Sequence, residues 1–169
     1  MKTMTVSHAL SVARLGEAFT GHRCVTAWLG YGNVLFLGFG ETVLPARSQG
    51  GQRTPPPFEL QTNFADWFVD GPISASTTDS DRAQLAAAAE SLINEQIIDW
   101  NLSENTRLRI AFSGAKELEI KAWNADEDLA DAWCLKSPDG YILAVATNGR
   151  HVIVESSLPV RDWFRPAEQ

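Results

Sequence analysis

The chain has 169 residues, 44% of them apolar and 21% charged, with six Trp and eight Phe. That composition fits a folded domain and excludes extended disorder. Fourteen Lys and Arg stand against twenty-one Asp and Glu, a net charge of −7, which argues against a nucleic-acid partner. No run approaches the roughly 20 apolar residues that cross a bilayer, so no membrane partner is expected. His8, Arg14 and Glu17 interrupt the N-terminal stretch before a secretory signal could form. The expectation is a cytoplasmic protein of one compact domain, 1–169.

In chain order, residues 5–15 carry helix-compatible spacing at Val6, Leu10 and Ala13, with Gly16 as the expected stop. Residues 24–29 and 34–39 read as strands around a Tyr31-Gly32-Asn33 turn. Residues 40–57 form a long Pro/Gly-rich loop ending in Pro55-Pro56-Pro57. Strand patterns resume at 58–64 and 66–69, before a Ser/Thr/Asp linker at 70–81 in which Thr78, Asp79 or Ser80 could cap a helix. The helix follows over 80–96, rich in Ala, with Leu85, Ala88, Ala89, Leu92 and Ile93 on one stripe.

Strands then return at 97–102, 106–112 and 116–123. Alternation puts Leu108, Ile110, Phe112, Leu118 and Ile120 on a buried face. Arg107, Arg109, Glu117, Glu119 and Lys121 fall on a wet one, where Arg109 can face Glu117 or Glu119. An acidic loop at 124–131 leads to strands at 132–136, 141–147 and 150–156, the last two joined at Asn148-Gly149. In the tail, Trp163 and Phe164 are expected to dock.

The two halves echo each other. "VTAWL" (25–29) matches "IIDWN" (97–101), and "VLFLGFG" (34–40) matches "RLRIAFS" (107–113). "ELQTN" (59–63) matches "ELEIK" (117–121), and "DWFVDGP" (66–72) matches "AWCLKSP" (132–138). The fold class implied is α+β: antiparallel β-meanders in two pseudo-repeated halves, with a central Ala-rich helix and a short N-terminal helix. The halves are 17–72 and 97–158, joined by the helix at 79–96. Each meander is expected to have about four strands, with Trp67 and Trp133 as equivalent anchors.

The segments "LRIAFSGAKELEI" (108–120) and "WCLKSPDG" (133–140), and more loosely "WLGYGNVLFLGFG" (28–40), carry a resemblance. Over residues 93–145 the chain resembles small bacterial proteins of unknown function, some of which are similar to immunity proteins of polymorphic toxin systems. The resemblance implies a binding protein and assigns no residue a role.

Specific chemistry is sparse. His22-x-Cys24 has no second pair at metal-ligand spacing, and the acidic loop lacks the Gly and spaced oxygens of a calcium loop. No phosphate-binding glycine pattern opens a helix, and no nucleophile motif is present. Cys24 and Cys134 sit in strand-like runs and read as small hydrophobes. No cofactor or metal is implied, no catalytic residue is assigned, and the reading leans away from an enzyme. Twelve acidic and five basic side chains fall between Asp79 and Asp131, so this span holds the whole excess charge.

The expected function is therefore protein binding: an immunity-like inhibitor that meets a basic toxin domain through an acidic surface. The residues assigned to that surface are Glu104, Glu117, Glu119, Asp126, Glu127, Asp128 and Asp131, with Trp123 as anchor. The alternatives are an accessory subunit of a larger bacterial defence or secretion complex, or a small ligand-binding domain or enzyme.

Overall fold

Two helices open in the same way. Ser11 accepts a hydrogen bond from the Arg14 N–H and begins α1 (Val12–Phe19). Asp81 accepts from the Gln84 N–H, Gln84 answers with a reciprocal bond, and α2 (Arg82–Glu90) begins. Asp81 is therefore the cap, one residue beyond the expected candidates. The computed structural model describes residues 11–41, 56–103, 107–123 and 130–164. Residues 5–10 of the expected first helix, and 42–55 of the Pro/Gly-rich loop, lie outside the described residues. α1 runs through Gly16 rather than stopping there. α2 is shorter than expected, because residues 91–94 turn back before the next strand.

The described residues form eleven strands, five between the helices and six after α2: β1 (Arg23–Leu29), β2 (Leu35–Gly40), β3 (Phe58–Thr62), β4 (Ala65–Asp70), β5 (Ala75–Ser76), β6 (Ile97–Leu102), β7 (Leu108–Phe112), β8 (Lys116–Ala122), β9 (Asp131–Lys136), β10 (Tyr141–Ala146) and β11 (His151–Glu155). β5 lies inside the segment read as a linker. Sheet A has the order β1-β2-β3-β9-β10-β11, and sheet B the order β5-β4-β8-β7-β6. All pairings are antiparallel.

The fold is α+β with two pseudo-repeated halves, and each meander stops at three strands. After β3 the chain crosses to sheet B, where β4 pairs with β8; after β8 it crosses to sheet A, where β9 pairs with β3. Each crossing covers the open edge that the other three-stranded meander would otherwise present. The registers obey the repeat: Trp67 opposes Ile120 as Trp133 opposes Thr62, and Val69 opposes Leu118 as Leu135 opposes Leu60. Both Trp side chains are fully buried. The Trp67 indole N–H donates to the Asn33 carbonyl at 3.0 Å.

The structure shifts one sequence match by a residue. β1 bulges between Cys24 and Thr26, and β6 bulges between Ile97 and Asp99. With the bulges superposed, Phe39 and Phe112 become equivalent, as do Leu37 and Ile110, and Trp100 corresponds to Ala27 rather than Trp28.

The halves meet where β1 and β6 begin. Arg23 bridges Gln96, its own repeat counterpart. Four backbone bonds surround the bridge in two equivalent pairs. Gly21 N–H donates to the Ile97 carbonyl and Asn94 N–H to the Cys24 carbonyl; Cys24 N–H donates to Glu95 and Ile97 N–H to His22. Gly21 (φ 92°) and Asn94 (φ 74°) share the left-handed conformation that this meeting needs.

The sheets and helices share one core, including Phe19, Phe39, Phe58, Trp67, Phe112 and Trp133. A second cluster lies on the outer face of sheet A, where Trp163 and Phe164 pack on Cys134, Ile142 and Ala144. The tail thus docks as expected. Both cysteines are free, and they fall in different clusters. His22 and Cys24 serve the fold: the imidazole packs edge-on against Phe58, and the thiol donates to the Thr26 carbonyl.

Candidate functional site: an aromatic groove

The β3–β4 bend, the end of β8 and the segment after β11 converge beside the outer face of sheet A. Between them lies a groove of about 820 Å³. Its rim is aromatic: Phe64 and Trp123 meet edge to face, with ring centroids 5.8 Å apart. The Trp123 indole N–H donates to Asp66 Oδ1 at 3.0 Å, which fixes the ring while about half of the residue stays exposed. Tyr31 stands 99% exposed at the same rim, and Leu158 and Val160 complete it from the C-terminal segment.

The floor is polar on the β3–β9 side. Gln61 Nε2 donates to Asn63 Oδ1 at 2.8 Å, and Asn63 Nδ2 donates to Asp131 Oδ2. Partial burial pushes the Asp131 carboxyl above its ordinary range, against its backbone and Asn63 hydrogen bonds. Lys136 and Cys134 lie further along β9 in the same groove. Burial, reinforced by the nearby Asp131 carboxylate, pushes the Cys134 thiol up to about 12. A thiol held that high is protonated at neutral pH and is a poor nucleophile. The groove offers aromatic faces and fixed hydrogen-bond partners, an arrangement suited to binding.

The residues expected to form one acidic surface divide between two places. Trp123 and Asp131 line the groove. Glu117 is exposed on the outer face of sheet B. Glu119, placed by alternation on that wet face, is buried at 7% exposure. Its carboxylate pairs with Arg107 Nε at 2.9 Å and Arg109 Nε at 3.6 Å, and these two long side chains cover it. Glu104, Asp126, Glu127 and Asp128 lie outside the described residues. A second, smaller depression of about 410 Å³ lies on sheet B beside Phe68, Asp70, Ser74, Ser76, Glu117 and Glu119.

Sequence reasoning missed Tyr31, Phe64, Leu158 and Val160. They come from separate segments, and strand alternation does not say which loop aromatics remain outside a core. Among the described residues, no group of three His, Cys, Asp or Glu is placed to hold a metal ion. Among them too, no helix is long and apolar enough to cross a membrane. Comparison with protein-family models, with curated proteins and with solved structures returns no match to this chain.

Proposed function

We propose that the chain is a non-enzymatic protein-binding protein of the bacterial cytoplasm, an immunity-like inhibitor that captures a basic partner at the Phe64–Trp123 groove. One observation carries the reading. Of the eight large apolar side chains exposed among the described residues, five line this single groove: Tyr31, Phe64, Trp123, Leu158 and Val160. Apolar side chains scattered singly need no explanation, whereas a shared patch with an aromatic rim suits a protein interface. Trp123 supplies the anchor, already held by Asp66. Asp131 and, in sequence, Asp126, Glu127 and Asp128 favour a partner of positive charge. Free thiols at Cys24 and Cys134 suit a reducing compartment.

Affinity capture from the source cell tests the reading, comparing the unaltered chain with Trp123→Ala and with a variant charge-reversed at Asp126, Glu127, Asp128 and Asp131. A protein retained by the unaltered chain and lost from both variants supports it. Equal retention of the same proteins by all three contradicts it.

A further inference from the structure

The pseudo-repeat supplies an internal control for surface chemistry, because equivalent positions in the two sheets can be compared. On the outer face of sheet A, Lys136 of β9 stands opposite Glu59 of β3. At the equivalent place in sheet B, Asp70 of β4 stands opposite Glu117 of β8. One sheet holds opposite charges at this position and the other holds two carboxylates. Directly opposed like charges destabilise an antiparallel pair. Among the described residues neither Asp70 nor Glu117 has a cationic partner: Lys116 is engaged by Glu95 at 3.0 Å, and Arg107 and Arg109 by Glu119.

The neighbouring positions differ in the same sense. In sheet A, Cys134 opposes Ala144, and Trp163 and Phe164 of the chain's own tail cover this face. In sheet B the equivalent pair is Phe68 opposite Ser76, at the floor of the 410 Å³ depression, with Ser74 beside it. Phe68 is half-buried and Ser74 exposed, so nothing described fills the place that the tail takes on the other sheet.

We infer that this strip of sheet B, Phe68 with Asp70 and Glu117, docks an extended segment of a partner protein carrying a Lys or Arg two residues from an apolar side chain, the spacing that puts both on one face. The cation sits between the two carboxylates and supplies the positive charge that sheet A carries at the equivalent place as Lys136, in register with Glu59. The apolar side chain rests on Phe68, as Trp163 and Phe164 rest on the equivalent face. This surface is separate from the groove and stands without it.

The test is a titration of the isotope-labelled full chain with a short acetylated, amidated peptide of repeated Ser-Arg-Ser-Phe, which when extended presents Arg and Phe on one face, followed by amide chemical shifts. A control peptide has Glu in place of Arg. Saturable shifts are expected at Phe68, Asp70, Ser74, Ser76 and Glu117, weakened by salt and absent with the control. Asp70→Lys restores opposite charges and is expected to weaken binding roughly tenfold or more. The same change raises Tm by about 1–3 °C, as removal of a like-charge cross-strand pair implies. Glu117→Lys repeats the test from the other strand, and Trp123→Ala leaves peptide binding unchanged. Shifts located elsewhere, equal shifts with the Glu peptide, or unaltered affinity in both charge variants overturn the inference. Loss of binding in Trp123→Ala assigns the peptide to the groove and overturns it as well.

Discussion

Trp100 of β6 lies so close to Gly16 of α1 that a Cβ on that glycine would come within 2.5 Å of the indole Cε2. The contact joins the first helix to the second meander, so each half is locked by a piece of the other. It also explains why the helix runs through a residue that the sequence marks as a stop.

Gly16→Ala therefore has an unusual expected sign. In a free helix the change stabilises by about 1 kcal/mol. Here the added methyl must displace Trp100, and overpacking of this kind costs about 1–3 kcal/mol. Net destabilisation in urea unfolding is expected, relieved when Trp100→Leu is added. A stabilised single variant contradicts the close packing.

Gly21 and Asn94 allow a cleaner test of backbone conformation. Nothing lies within 4 Å of a Cβ at Gly21, so Gly21→Ala meets no clash. The loss of about 1–2 kcal/mol expected there is conformational alone. Asn94→Gly, at the equivalent position, is expected to be neutral or slightly stabilising. Denaturant midpoints of the two variants should move in opposite directions or differ by at least the Gly21 loss.

Glu119→Ala separates fold from recognition. Its arginines are 39% and 53% exposed in their side chains, so solvent screens the pairs. The expected cost is about 1 kcal/mol, smaller at high salt. Partner capture at the groove should be unaltered. A stability cost that ignores salt, or lost capture, would show that Glu119 acts otherwise.

The acid limb of stability should depend on Glu95. Its carboxyl is held below the ordinary range chiefly by the Ser113 hydroxyl, against partial burial, with Lys116 and Arg23 assisting. A carboxyl that binds its proton more weakly when folded adds stability above the unfolded carboxyl range. That contribution disappears as pH falls through the folded value. Glu95→Gln is expected to lower stability near neutral pH and to flatten its decline in acid, measured by thermal unfolding across pH. An unchanged acid limb would contradict this role.

The strands were legible because period-two alternation is local: Leu108, Ile110 and Phe112 point inward whichever strand lies beside them. For the same reason the exchange of β4 and β9 between sheets was not legible. Trp67 alternates identically whether its strand pairs with β3 or with β8. The repeat was visible, but the match of Trp28 to Trp100 followed residue identity, whereas the bulges near Val25 and Ile98 set the true register. Glu119 shows the limit of alternation on the polar side, since it points outward and is still covered by two arginines. The groove depends on side chains from Tyr31 to Val160, brought together only by the crossings and the docked tail.

Interstrand nuclear Overhauser contacts test the strand exchange most directly, because a simple meander and the exchanged fold pair β3 and β8 with different partners. The exchanged fold predicts backbone contacts between Leu60 and Leu135, and between Val69 and Leu118. Ladders pairing β3 with β4 and β8 with β9 would contradict it.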